Sequence, residues 1–392
     1  MTFDLGDPVG LGERLRAARE NGGWTQADAA NEIGIARTTL VAIEKGQRRA
    51  RLEELQDLAR LFGTSLNGLL RREAVQVNLI PQFRKMSSTD DTAVTVAAEA
   101  MIRMVKAEVE LESLLGITRT NNYPQERPIL PGNARAQAED DANELRSWLG
   151  LGFSPVVDLV TLMELQLGIR LYVIPLDAKV AGLFAYEDSV GACVLANANH
   201  PIERRTQTLA HELGHFIGTR RQPDILHINE PENSREEKYA NSFGRAFLTP
   251  ARAVIQKFRE VTAGAKKLTR RHIIILAYFF GVSREAMVRR LEELRLTRLG
   301  TWDWFVHNGG ITLEQVKQVL GDRYGGEQKG NVAAHPTNLR LHALAEQAWQ
   351  QDLLSEGQLA ELLNVDRMAI REILDQFGLA EGDVDEFPNL LT

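Results

Sequence analysis

Residues 206–218 read Thr-Gln-Thr-Leu-Ala-His-Glu-Leu-Gly-His-Phe-Ile-Gly. Leu209, Ala210, Leu213 and Phe216 recur at helical spacing, and Pro201 suits the first turn of a helix that runs through this string. Within it, His211-Glu212-Leu213-Gly214-His215 is H-E-x-x-H. Histidines four apart on a helix share one face, so both imidazoles can bind a single zinc ion. Glu212 then stands beside the metal, where a carboxylate can take a proton from water. Upstream, Ile169–Ile174, Gly182–Tyr186 and Ala192–Ala196 have strand-like composition and are separated by turn residues. A helix opening at Ser154-Pro155 and running through Leu167 precedes them. Downstream, a helix is predicted across Glu236–Leu248, stopping at Pro250. The fold class that results is mainly α with a small β-sheet, α+β.

Working toward the N-terminus, the segment Thr118–Asn133 holds three prolines and the pair Asn121-Asn122, which marks a loop. Before it, Ala97, Ala98, Met101, Met104 and Val105 give one side of a helix from about Thr92 to Leu115. Residues 74–91 are irregular and read as a connector. Residues 11–72 differ again, as a series of short, closely spaced helices. Residues 11–72 carry 11 Lys and Arg against 8 Asp and Glu, a local charge of +3 in a chain whose total is −7. A basic head on an acidic body suits a nucleic-acid module.

The head has a more specific pattern. Leu15-Arg16-x-x-Arg19, Thr25-Gln26 with Ala30, the turn Ile33-Gly34-Ile35, then Leu40, Ile43-Glu44, Gly46, Leu58-Ala59 and Phe62-Gly63 resemble the lambda-repressor-type helix-turn-helix family called XRE. Thr25 can cap the second helix, Gly34 permits a positive φ in the turn, and Gly46 can end the third helix. The resemblance implies that this third helix, starting near Ala36, enters the major groove of operator DNA. Arg37 and Thr38 would then face base edges, while Gln26, Lys45, Arg48 and Arg49 would mostly meet phosphates. It also implies a structural ion pair between Arg19 and Glu44, and a homodimer bound to two half-sites.

Around the H-E-x-x-H string, Thr206–Phe216 is followed by Glu237-x-x-Ala240-Asn241-x-Phe243 and by Phe247-Leu248-Thr249-Pro250. This arrangement resembles the ImmA/IrrE family of zinc metallopeptidase domains, over roughly residues 140–295. The chain departs from the family at Gly244, where Ala is usual, and at Phe247 and Thr249. The resemblance implies a zincin-like fold, a Zn2+ cofactor, His211 and His215 as ligands, Glu237 as third ligand and Glu212 as catalytic base. His227 is an alternative third ligand outside the family pattern, and Glu236 points about 100° away from Glu237 around the helix. A metzincin pattern would need a histidine at Arg221 and is excluded. A strand near Val194 is expected to offer its edge to an extended peptide.

Four segments are expected: a helix-turn-helix domain at 11–73, a linker and helical connector at 74–135, the peptidase domain at 136–295 and a helical C-terminal region at 296–392. Residues 276–291 and 355–376 have helix-turn-helix rhythm, with Ser355 and Gln358 as a capping box. A glycine-rich break falls at 324–330; three-helix units of this kind often serve as packing elements, and the acidic positions Asp383, Asp385 and Glu386 disfavour phosphate contact, so scaffolding or partner contact is the expected role. At 392 residues, 44% hydrophobic and 25% charged, the chain can bury several cores. The single Cys193 excludes an internal disulfide and a multi-cysteine zinc site. No run of about 18 apolar residues and no signal-like start is present, so a cytoplasmic protein with no membrane partner is expected. Two functions follow. One is a DNA-binding regulator with a zinc-dependent endopeptidase domain that hydrolyses a regulatory protein, a partner repressor or the chain itself. The other is a non-catalytic repressor or antitoxin-like regulator whose peptidase-like body senses a signal or binds a partner.

Overall fold

The computed structural model describes residues 8–64, 69, 92–227, 234–321 and 338–377. The expected connector at 74–91, the glycine-rich break at 324–330 and the acidic positions 383–386 lie outside these. The chain divides after residue 76 into two compact units. The fold is mainly α with one small sheet, as the periodicities predict.

The first unit holds α1 (Pro8–Asn21), α2 (Gln26–Glu32), α3 (Arg37–Glu44) and α4 (Leu52–Leu61). Leu15, Ala29, Ala30, Leu40, Ile43, Leu55 and Leu58 form its core. Local chemistry sets the breaks between helices. The Thr25 side chain accepts from the backbone N–H of Asp28 and so caps α2. Gly34 turns the chain with φ 69°, and Gly46 ends α3 with φ 68°. A Cβ at Gly46 would also lie 2.7 Å from Cα of Val9, so this glycine lets α1 lie against the end of α3. Arg19 and Glu44 are both buried and meet in a forked pair, Nε to Oε1 at 2.6 Å.

The second unit begins, among described residues, with the long α5 (Thr92–Leu114). Next come α6 (Ala134–Trp148) and α7 (Leu159–Thr161), which continues as a π-helix over Leu162–Gln166. This helix starts four residues later than its sequence predicts, because Asp158 caps it by accepting from the backbone N–H of Thr161. Strands β1 (Arg170–Ile174), β2 (Val180–Glu187) and β3 (Gly191–Asn197) lead into α8 (Ile202–Gly218), which carries the H-E-x-x-H string. A fourth strand, β4 (Asp224–His227), precedes α9 (Arg235–Leu248). Helices α10 (Ala251–Val261), α11 (Arg270–Phe280), α12 (Arg284–Glu293), α13 (Thr301–His307) and α14 (Leu313–Leu320) follow. The last three are α15 (Leu339–Gln350), α16 (Glu356–Leu363) and α17 (Arg367–Phe377). Ser355 and Gln358 form the capping box that opens α16.

The sheet order is β1-β3-β2-β4, with β1 parallel to β3 and β2 antiparallel to both β3 and β4. The expectation of a free edge near Val194 is therefore wrong. Val194 pairs with Leu171 on one side and Phe184 on the other, so β3 is interior and the edges are β1 and β4. Side chains alternate between the two faces. Leu171, Val173, Phe184, Val194 and Ala196 pack with α6, α8 and α9. Tyr172, Leu183, Ala185, Cys193 and Leu195 pack with α5, α15, α16 and α17. The helical connector and the C-terminal region, read from sequence as separate segments, thus share one core with the strands. Buried charges tie them together: Glu108 and Glu112 of α5 pair with Arg170 at 2.8 and 2.7 Å, and Arg340 reaches Glu112 at 3.0 Å.

Candidate functional site

In the first unit, the start of α3 presents Arg37 and Thr38 to solvent, and Lys45 and Arg49 beyond its end are exposed too. Two of the six expected DNA-contacting side chains are engaged within the fold. Gln26 donates to Glu44 Oε2 at 2.8 Å, extending the Arg19–Glu44 pair, and Arg48 bonds to Glu54 at 2.9 Å.

In the second unit, α8 lies on the sheet and α9 crosses it closely. Gly214 of α8 sits where a Cβ would lie 2.8 Å from Cα of Ala240, and Gly244 of α9 faces the backbone of Ala210 and His211 in the same way. The departure from Ala at Gly244 therefore brings the two helices nearer. Tyr239 fixes α9 against α6 by donating to Asp141 at 2.8 Å. Ser234 caps α9 by accepting from the Glu237 N–H, which places Glu237 in the first turn. Its carboxylate lands 3.4 Å from His215 Nε2 and 3.6 Å from His211 Nε2.

The two Nε2 atoms stand 3.1 Å apart. Each opposite nitrogen is engaged: His211 Nδ1 lies 3.0 Å from Asn241 Oδ1, and His215 Nδ1 lies 3.0 Å from Thr219 Oγ1. Asn241 Oδ1 accepts, so His211 Nδ1 donates to it, and Thr219 Oγ1, which itself lies 3.4 Å from the His215 carbonyl oxygen, is placed to accept from His215 Nδ1. Both Nε2 lone pairs consequently face inward, the orientation that outer partners impose on metal-binding imidazoles. The carboxylate of Asp224, at the start of β4, completes the group, with Oδ2 at 3.4 Å from His215 Nε2 and 3.8 Å from His211 Nε2. Donors held about 2.0–2.1 Å from one zinc ion stand about 3.3 Å apart at the corners of a tetrahedron. His211, His215, Asp224 and Glu237 offer four donor atoms all within 4.8 Å of one another, so the residues present fit such an ion. Glu236 is not one of these donors, and the side chain of His227 lies outside the described residues.

Glu212 is fully buried and both of its oxygens lack a hydrogen-bond partner. Burial, then the carboxylates of Asp224 and Glu237, push its carboxyl well above the ordinary range. Burial alone would lower His215, yet Asp224 and Glu237 outweigh it and the net shift is upward. Among the described residues the ion pairs of Asp224 and Glu237 are to the two histidines and not to Lys or Arg, so a divalent ion would balance the charge gathered here. Across from Glu212, Gly182 of β2 leaves the space it occupies: a Cβ there would lie 2.8 Å from Glu212 Oε1.

Comparison with known proteins finds a match within each unit. Residues 15–69 match the family described as Helix-turn-helix, and residues 165–292 match the IrrE N-terminal-like domain. The HTH-type transcriptional regulator AnsR of Bacillus subtilis (strain 168) is 32% identical over 114 residues, which is 29% of this chain and 95% of the relative. The chain belongs to the XRE-type helix-turn-helix regulators and carries an ImmA/IrrE-type peptidase-family domain. The helix-turn-helix head implies DNA binding, and the four-donor group lies inside the matched ImmA/IrrE-type region. Among the described residues, no helix is long and apolar enough to cross a membrane.

Sequence reading of this ImmA/IrrE-type domain missed Asp224, Asn241 and Thr219 as members of the centre. Asn241 and Thr219 each lie four residues from a recognised position, Glu237 and His215 respectively, so helical spacing carries a signal for them. Asp224 carries none, because a strand pairing brings it in from nine residues beyond His215.

Proposed function

We propose that the chain is a cytoplasmic DNA-binding regulator whose second unit is a zinc-dependent endopeptidase that hydrolyses a peptide bond in a regulatory protein. The observation that carries this reading is the buried Glu212 carboxylate, free of hydrogen bonds and set beside two imidazoles whose Nε2 atoms converge. A carboxylate kept for structure alone would be hydrogen-bonded at this depth. His211, His215 and Glu237 would hold zinc, which supplies Lewis acidity toward water and a peptide carbonyl when bound. Glu212 takes the proton of the attacking water and delivers it to the departing amine. In the head, Arg37 and Thr38 read bases, while Lys45 and Arg49, with Gln26 and Arg48 once released from their internal partners, meet phosphates. A homodimer would place two heads on two half-sites. A partner repressor is the better substrate, because a chain that cut itself constitutively would not accumulate intact.

One observation favours the second reading, a regulator that holds a partner without turnover. Four protein donors surround the centre, and closed zinc sites are structural. Metal analysis and mass spectrometry decide between the two. Wild type and Glu212→Gln should each hold one zinc per chain. Only wild type should cut helix-turn-helix regulators when incubated with them, with and without operator DNA. Near-stoichiometric zinc in the His211→Ala/His215→Ala variant would remove the site. Absence of fragments under every condition would leave the non-catalytic regulator.

A further inference from the structure

We propose that β4 is a displaceable strand that occupies the place of an extended substrate on the edge of β2, and that Asp224 closes the position a catalytic centre keeps for water. The inference rests on the metallopeptidase reading above and adds how that site is held shut.

The first support is the number of donors. Catalytic zinc sites take three protein ligands and leave one position open, whereas four close it. Asp224 Oδ2 stands 3.4 and 3.8 Å from the two Nε2 atoms, at the same range as the Glu237 carboxylate. That oxygen is buried and, among the described residues, makes no hydrogen bond; its ionic partners are the two imidazoles.

The second support is strand register. β4 runs antiparallel to β2, pairing Asp224 with Phe184, Ile225 with Leu183 and Leu226 with Gly182. Alternation sends Ile225 into the core behind the sheet and Asp224 toward α8, on the face of Phe184. The opposite edge of β2 is taken by β3. A polypeptide strand that adds to β2 beside His211 and His215 can therefore lie only where β4 lies. Strand addition is a common means of binding extended peptides, with backbone hydrogen bonds giving affinity. Gly182 is the residue opposite the reacting region, and its missing side chain leaves room there for Glu212.

The third support is how weakly β4 is tied. It has four residues, pairs along one side only, and its ladder is broken by a register shift between Val180 and Gly182. Asp224, Ile225 and Leu226 are half-buried, while β3 is buried throughout. Short edge strands of this kind belong to the low-stability end of a fold. When β4 leaves, the Asp224 carboxylate leaves with it. One motion then frees both the edge that an incoming polypeptide needs and the position that water needs. The occupant is an extended segment of the substrate protein, antiparallel to β2 as β4 is.

The test uses the full chain loaded with cobalt, whose visible spectrum reports on its ligands, and acetohydroxamate as a small competing ligand. Wild type should show no spectral change at low millimolar acetohydroxamate. Asp224→Ala should keep cobalt and respond at concentrations at least tenfold lower. Asp224→Asn, which preserves shape, should give a smaller gain. Ile225→Asn keeps Asp224 but puts a polar side chain into the apolar core behind the sheet, which loosens β4, and should gain the same response as Asp224→Ala. A wild-type response as strong as that of Asp224→Ala overturns the proposal, since the position would already be open. Loss of cobalt from Asp224→Ala and Asp224→Asn, or an unresponsive Ile225→Asn, also overturns it, by making Asp224 a fixed ligand. Failure of wild type to bind cobalt at all is a different result, and removes the metallopeptidase reading itself.

Discussion

Gly182→Ala is a single-methyl perturbation aimed at the catalytic carboxylate and at none of the metal donors. An added Cβ would meet Thr208 Cγ2 at 2.6 Å, Glu212 Oε1 at 2.8 Å and the Leu195 carbonyl oxygen at 3.1 Å. The Leu195 oxygen is backbone within the sheet, so the side chains must give way. An ordinary contact begins near 3.4 Å, so the Glu212 carboxylate must move by about 0.6 Å. It has no polar partner to move toward, since neither oxygen is hydrogen-bonded and the residue is fully buried. Displacements of about 1 Å in a reacting group cost on the order of 10²-fold in rate, so a loss of roughly 10- to 100-fold is expected. Overpacking of this size also costs about 1–3 kcal/mol in stability. Zinc content should be unchanged, because the three atoms nearest the added methyl belong to Thr208, Glu212 and Leu195 and to none of the metal donors. The assays are metal analysis, thermal unfolding of the whole chain, and cleavage of a regulator found to be a substrate. Full activity together with an unchanged unfolding midpoint would refute the packing argument. A loss of zinc would show that the methyl disturbs the ligands and that the separation of base from donors is wrong.

Other expectations follow from the same structure. Burial lifts the carboxyl of Glu164 to about 7, with the Glu108 carboxylate adding to it, while the Arg340 N–H and the charges of Arg119 and Arg340 oppose it. A carboxyl raised in the folded state contributes stability below its unfolded value of 4.5 that is lost as pH rises through 7. Glu164→Gln should therefore match wild type near pH 4 and exceed it at pH 8 by up to ~3 kcal/mol in urea unfolding; a difference independent of pH would refute this. In the head, Arg37→Ala should lose ~1–3 kcal/mol of preference for its operator, whereas Lys45→Ala should weaken binding to every duplex and reduce the salt slope by about one. Fluorescence anisotropy at several salt concentrations separates the two, and an unchanged slope for Lys45→Ala would remove it from the phosphate contacts.

The parts of this molecule legible in its sequence are those fixed by short-range chemistry. Helix starts at Thr25 and Ser355, the turn at Gly34 and the stop at Gly46 all rest on residues within a few positions of one another. The three strands before α8 were readable from composition, and the H-E-x-x-H spacing brings His211 and His215 together without help from the rest of the fold. Sheet order was not readable in this way. The strand near Val194 is expected to offer an edge, but hydrophobicity on both faces says only that a strand is covered, not which strands flank it. The back of the sheet was missed for the same reason. Glu108 and Arg170 carry no sign of burial in sequence, yet they pair across 62 positions inside the fold, and the half-buried Arg340 joins Glu108 from 232 positions away.

The candidate centre shows the same divide at smaller scale, and there it has chemical consequences. Helical spacing finds both histidines and the base, and a helix cap sets Glu237 where it can join them. On those residues alone the centre is a three-ligand site with an open position. Asp224 changes that count, and its presence depends wholly on β4 pairing with β2, since a shift of one residue would turn its side chain to the opposite face. A helix cannot readily withdraw one side chain while its neighbours stay packed, but a four-residue edge strand can leave as a unit. The donor supplied by the strand is therefore the one whose removal leaves α8 and α9, and with them His211, Glu212, His215 and Glu237, in place. A centre that is closed through its least anchored element can be opened without rebuilding its most anchored ones.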